Sequence, residues 1–268
     1  MSYEDILYDV DDHGVATITI NRPDRMNAVR YETYRDLRAA LDEADGDDAV
    51  RCLVLTGAGR GFCAGDDFQG IFLAEDREQA RLNRRLNRIK GSGIQDAVEG
   101  FFSFDKPTIA AVNGAAVGMG MDLAIMCDIR YASEQAKFGS YFVRRGVVGS
   151  TGGTYLLKHI VGLSKAYELL LSGDLVDAQE AERIGLVSKV VPGERLMEDT
   201  YAFARRLASG PPLAQRAIKR VVKKGFDVDW RTLDEYSMSL SDVLWESEDH
   251  MEGVRSWVEK REPVYKGR

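Results

Sequence analysis

Two short apolar runs, each passing straight into a glycine-bearing turn, restrict what this chain can fold into more than any other feature. Cys52-Leu53-Val54-Leu55-Thr56 ends in Gly57-Ala58-Gly59-Arg60-Gly61 and continues as Phe62-Cys63-Ala64-Gly65-Asp66-Asp67. Thr108 to Val112 ends in Asn113-Gly114-Ala115-Ala116-Val117-Gly118-Met119-Gly120-Met121-Asp122. Runs of strand length without apolar–polar alternation predict strands covered on both faces, as in a largely parallel sheet flanked by helices. In such sheets the turns at the carboxyl ends of strands are where ligands bind. The second turn runs into helical text from Val117 to Cys127, whose first N–H groups lack intrahelical acceptors and lie at the positive end of the helix dipole. Two such turns can direct two donors at one oxygen, the arrangement that stabilises an oxyanion. Asp122 lies three residues beyond Met119 and four beyond Gly118, on the same helical face as those N–H groups. A carboxylate there can move a proton beside the developing charge. The plainer structural reading is a first-turn acid favoured by the helix dipole.

The rest of the chain supports an α/β core followed by helices. Ile6 to Val10 and Val15 to Ile20 flank Asp-Asp-His-Gly and read as a hairpin. Tyr34, Leu37, Leu41 and Ala44 fall on one face of a helix from Tyr31 to Asp45. Ile129 to Ala132 and Ala136 to Phe138 read as further strands, and Arg81, Arg84, Arg85 and Arg88 as one solvated side of a helix within the charged stretch 75–100. From about 193 the pattern is helical, punctuated by Pro211-Pro212. The division expected is a core over 1–200 and a C-terminal helical region over 201–268, within a length of 268 residues that suits one large core.

Several function classes fall away. With 36 Lys+Arg against 43 Asp+Glu, the net charge of −7 provides no general attraction for nucleic acid or anionic membranes, so an anionic ligand must meet local cations. Thr108 to Cys127 has about the length of a membrane span, but Asn113, Asp122 and its glycines make it a buried strand, turn and helix. Cys52, Cys63 and Cys127, an odd number without CxxC spacing, point to a reducing compartment, and the acidic first residues show no targeting segment; a cytoplasmic location is expected. The Gly57–Gly61 turn lacks dinucleotide spacing, and neither a nucleotide P-loop nor a serine-hydrolase elbow occurs. His13, His159 and His250 are scattered, and no metal site is expected.

From Ile18 to Lys266 the chain resembles the crotonase (enoyl-CoA hydratase/isomerase) superfamily. The matching text is Asn21-Arg22-Pro23 with Asn27-Ala28, Phe62 to Asp67, Lys106-Pro107 through Asn113-Gly114, Cys127-Asp128-Ile129, Gly152-Gly153-Thr154 and Ala181 to Val187. The resemblance implies a crotonase-like spiral of ββα units that binds an acyl-CoA thioester, with no cofactor beyond that coenzyme A moiety. It further implies a homotrimer, or a hexamer built from two, packed through the C-terminal helices. By motif position the thioester oxygen would accept bonds from the backbone N–H groups of Asp66 and Met119. Ala64 would face the adenine, Arg25 the CoA phosphates, and Trp257 and Lys260 would reach CoA from the tail.

Two departures narrow the chemistry. Hydratases of the family use two glutamates; Asp122 matches the first, and the second position holds Phe142. The position where some isomerases and ring-forming relatives carry an aspartate is Ser150. Asp66 is an additional carboxylate where relatives often have a small residue; it, Ser140 and Tyr141 are candidates to replace the missing acid. The resulting expectation is an enzyme acting on an α,β-unsaturated acyl-CoA through an oxyanion hole and the single carboxylate Asp122. Hydration is the default activity, with isomerisation or a catalytically weak acyl-CoA-binding member as alternatives.

Overall fold

The computed structural model describes residues 3–67, 85, 93–149 and 151–268. Arg81, Arg84, Arg88, Ser150 and most of the charged stretch 75–100 lie outside these residues. Strands β1 (Ile6–Val10) and β2 (Val15–Ile20) form the expected antiparallel hairpin. Helix α1 (Tyr31–Gly46) then returns the chain to β3 (Cys52–Gly57), which pairs parallel to β2. Helix α2 (Ile94–Ser103) leads to β4 (Thr108–Val112), parallel to β3. With β6 (Ile129–Ser133) and β9 (Lys189–Val191), these make a six-stranded sheet of order β1-β2-β3-β4-β6-β9.

Both faces of this sheet are covered, as the unbroken apolar runs require. Leu53 and Leu55 pack in the main core with α1 residues, whereas Cys52 and Val54 turn to the other face. There they meet Ile109, Ala111 and helix α7 (Leu196–Ala208), which crosses position 200 and buries Leu196, Ala204 and Ala208.

A second sheet of three strands holds β5 (Ala115–Val117), β7 (Lys137–Gly139) and β8 (Val176–Asp177), and the chain between β5 and β6 is helix α3 (Met119–Met126). Helices α4 (Gly153–Val161), α5 (Leu163–Ser172) and α6 (Ala178–Arg183) follow β7. Beyond α7, helices α8 (Pro212–Lys224), α9 (Trp230–Trp245) and α10 (Glu248–Glu259) form the tail, and α9 buries none of its residues. Among the described residues, no helix is long and apolar enough to cross a membrane.

One expected element is corrected. The helix read from Val117 begins at Met119, because Ala115–Val117 pairs with β7 instead and Gly118, at φ +56°, turns the chain between strand and helix. The Gly118 N–H donates to Gly139 O at 2.8 Å, which ties this turn to the second sheet.

Candidate active site

The two glycine-bearing turns meet. Cys63 N–H donates to Ala115 O at 2.9 Å and Val117 N–H to Cys63 O at 3.0 Å, a two-way clasp between the segments that leave β3 and β4. Two asparagines brace the first of them from behind. Asn27, fully buried, donates to Ala58 O and Gly61 O at 2.8 and 2.7 Å, while Asn113 donates to Gly57 O and Gly59 O at 2.9 and 2.8 Å. The Gly57–Gly61 turn is therefore a carbonyl-presenting loop held by amide side chains.

Glycines permit the contact. Gly65 has φ +98°, and a Cβ on it would stand 2.8 Å from Val117 O and 3.6 Å from Met119 N. Gly120 packs so closely on Cys63 O that no side chain fits. Met119 opens α3, so its N–H has no intrahelical acceptor. Asp66 follows Gly65, whose carbonyl accepts from Val29 N–H at 2.8 Å, and Asp67 N–H returns to Val29 O at 2.7 Å. These bonds fix the peptide of Asp66 beside the start of α3, and among the described residues no acceptor for its N–H is present.

Asp122 lies one turn into α3, only 2% exposed, and its N–H bonds Gly118 O at 3.1 Å. Its carboxylate accepts from the Thr151 hydroxyl and lies against Gly153 at the start of α4. Burial pushes its carboxyl up to about 8; the Gly153 N–H opposes that rise and the nearby charge of Asp66 adds to it. The side chain of Asp66, half-buried, accepts from the fully buried Tyr34 hydroxyl at 2.5 Å. Burial raises the Asp66 carboxyl as well, and the Tyr34 hydroxyl works against that rise. The site thus contains two carboxyl groups in low-dielectric surroundings, both raised by burial.

The three residues expected at the reaction centre, Asp66, Met119 and Asp122, are brought together. Phe142 lies against Gly149. Ser140 is buried, and the Tyr141 ring packs under the Arg144 guanidinium at 5.2 Å. Ala64 and Arg25 are exposed at one rim, joined through the turn where Ala64 N–H donates to Met26 O at 3.0 Å. Trp257, 85% exposed, and Lys260 belong to the tail. The end of that tail, at Gly267, packs near Arg51 and Pro212, and Arg51 precedes β3 at the end of the strand away from the turns. Among the described residues, no hydrogen bond or ion pair joins Trp257 or Lys260 to Ala64 or Arg25.

Three participants were not singled out by sequence reasoning: Tyr34, Thr151 and Gly153. Tyr34 sat in the apolar stripe of α1, where its hydroxyl gave no sign of a buried acid within reach. Gly153 was visible only as part of a Gly-Gly-Thr motif, and the need for glycine there becomes clear from the carboxylate against it.

The α/β fold thus clasps two strand-end turns beside a buried carboxyl. Comparison with known proteins agrees with the motifs. The family described as Enoyl-CoA hydratase/isomerase matches residues 11–268. A crotonyl-CoA hydratase of Syntrophomonas wolfei is 35% identical over 265 residues, covering 97% of each chain. A 1,2-epoxyphenylacetyl-CoA isomerase of Escherichia coli is 34% identical over 258 residues, covering 95% of this chain and 96% of that one. The crystal structure of an enoyl-CoA hydratase from Bacillus anthracis superposes with a TM-score of 0.91 at 32% identity, covering 99% of this chain and 100% of that one. The chain belongs to the enoyl-CoA hydratase/isomerase family and has the crotonase fold. It is an acyl-CoA-binding enzyme of that family.

Proposed function

We propose that the enzyme binds an α,β-unsaturated acyl-CoA with its thioester oxygen between the N–H groups of Asp66 and Met119, and that Asp122 is the group that moves protons. The observation that supports this reading is the packing of Gly65 on Val117 and Met119, which brings the peptide next to Asp66 against the start of the helix that carries the buried Asp122. As negative charge grows on the thioester oxygen, fixed donors in a water-poor site stabilise it without reorganising; one such donor is commonly worth about 10²–10³ in rate. In hydration, protonated Asp122 delivers its proton to the α-carbon, water adds its oxygen at the β-carbon, and the proton that water gives up passes to the Asp122 carboxylate and restores it. In isomerisation, ionised Asp122 takes an α-proton from a 3-enoyl thioester and returns it to the γ-carbon. The Phe142 ring against Gly149, at the place of a second acid, favours isomerisation as the second reading.

Arg25 and Ala64 at the outer rim are assigned to the phosphates and adenine of CoA, and Trp257 and Lys260 to the CoA site of a neighbouring subunit. The assembly proposed is a homotrimer or hexamer formed through the tail, where Trp230, Trp245, Trp257 and Val258 are all exposed. Exposed apolar residues in this number mark an association surface. The core 1–200 would supply the reaction centre and 201–268 the assembly surface. Three free, buried cysteines accord with a cytoplasmic setting.

The test is to follow the conjugated-thioester absorbance with crotonyl-CoA and with a 3-enoyl-CoA. Loss of conjugation in the first supports hydration, and gain of conjugation in the second supports isomerisation. Inertness toward both, with calorimetric binding of CoA thioesters retained, would reduce the protein to an acyl-CoA-binding member.

A further inference from the structure

The pairing of a fully buried tyrosine with the extra carboxylate is not required by the chemistry assigned to Asp122. We propose that Tyr34 and Asp66 form a positioning pair that decides where the proton of this two-carboxylate site rests: the Tyr34 hydroxyl holds Asp66 as the charged member, and the proton is kept on Asp122.

The geometry is specific. Tyr34, in the first turn of α1, has no exposed surface, and its single O–H proton is given to Asp66 Oδ1 at 2.5 Å. A buried phenol gains from donating to a charged acceptor, because a charge-assisted bond is roughly twice as strong as a neutral one. The clasp between Gly65 and Val117–Met119 then sets Asp66 beside the helix that carries Asp122. Two carboxylates in one poorly solvated site do not both ionise readily, so stabilising charge on one retains the proton on the other.

Among the described residues, the neighbouring titratable and charged groups are neutral, engaged with other partners, as Asp67 is with Arg22, or exposed. Cys63, on the same turn as Asp66, has its thiol pushed up to about 12 by burial and stays neutral. Tyr34 is raised well above the usual phenol range by burial and by Asp66, so it remains a donor. On α2, Asp96 faces Arg38; on β6, Arg130 is engaged by the Leu186 and Cys127 carbonyls; on α4, Lys158 and His159 are exposed. Among the described residues, the side chain that bonds Asp122 is the uncharged Thr151 hydroxyl, and Gly153 lies against the carboxyl.

The proposal rests on the functional reading only for its kinetic consequence, so its test is made on the protein without substrate. Infrared titration of the protonated-carboxyl C=O stretch, with ¹³C-aspartate labelling and Asp122→Asn for assignment, gives the midpoint at which Asp122 loses its proton. Asp66→Asn should lower that midpoint by about one pH unit or more, as expected when a like charge is removed. Reciprocally, Asp122→Asn should leave Asp66 losing its proton at a pH no higher than in the wild type, and Tyr34→Phe should raise the Asp66 midpoint. In a protein with enoyl-CoA turnover, the pH limb set by Asp122 should move down with Asp66→Asn, a change that a merely structural role for Asp66 would not produce. An Asp122 midpoint unchanged in Asp66→Asn, or a wild-type proton found on Asp66 instead of Asp122, would overturn the proposal. Absence of turnover in the wild type would count against the functional reading, while the infrared midpoints would still decide this one.

Discussion

Gly153 sits directly against the Asp122 carboxylate: a β-carbon at residue 153 would overlap Oδ1. The start of α4 is thereby a template for the carboxyl proposed to move protons. Gly153→Ala should displace Asp122 and lower kcat by at least about 10², the usual contribution of a general acid or base. The Kd for a non-reactive CoA thioester should change little. Steady-state kinetics with calorimetry checks this, and unchanged kcat would mean that Asp122 does not need the geometry seen here.

The raised carboxyl of Asp122 couples folding to pH. An ordinary aspartate in the unfolded chain loses its proton near pH 4, whereas Asp122 in the folded protein holds it to about 8. Its contribution is fully present below the unfolded value and is lost as pH rises through about 8, a change of the order of several kcal/mol between those limits. Asp122→Asn, neutral at every pH, should abolish this decline. Denaturant melts from pH 4.5 to 8.5 should show the variant gaining on the wild type as pH rises; parallel curves would contradict the assignment.

The same ionisation gives opposite signs for the two candidate reactions. Hydration uses Asp122 as the acid, so its rate should fall as pH rises through about 8. Isomerisation of a 3-enoyl thioester begins with Asp122 as base, so its rate should climb through the same region. pH profiles of kcat/KM on both substrates read these signs directly.

Gly65 joins the two turns at φ +98°, where a Cβ would stand only 2.8 Å from Val117 O. Gly65→Ala combines a backbone conformation costing about 1–2 kcal/mol with a steric push against the β5–α3 segment. It should separate the Asp66 and Met119 N–H groups and cost about 10²–10³ in turnover. Wild-type turnover in a folded Gly65→Ala protein would show that the two donors do not act together.

Association through the tail should be sensitive to charge on its apolar face. Trp245, 65% exposed, lines an apolar cavity of about 640 Å³ with Leu244, Val254, Trp257 and Tyr265. Trp245→Asp should shift the mass seen by sedimentation velocity from trimer or hexamer toward monomer, because a carboxylate resists burial without a partner. A monomeric wild type would remove this surface from the assembly.

The parts of the fold readable in sequence are those with dense local pattern. Ile6–Val10, Val15–Ile20 and Thr108–Val112 are strands over the residues expected, since each carries an apolar or alternating run with a turn signal at its end. Val176–Asp177 and Lys189–Val191 are too short to show a period, and Ala115–Val117 hid inside helical text because its strand character comes from pairing with Lys137–Gly139. The same division applies to the site. Asp122 and the donors Asp66 and Met119 could be named from their turns and from the family motif. Tyr34 and Thr151 could not, because what makes them matter is a hydrogen bond to a carboxylate 32 residues away in one case and 29 in the other.

The most direct measurement compares wild type and Asp122→Asn on whichever enoyl thioester the wild type converts, with calorimetric binding of a non-reactive thioester run beside it. The expected result is a loss of turnover of about 10² or more in the variant while thioester binding remains, because the N–H donors of Asp66 and Met119 are untouched. Full turnover in Asp122→Asn would contradict the assignment of the proton-moving group and, with it, the chemistry built on this site.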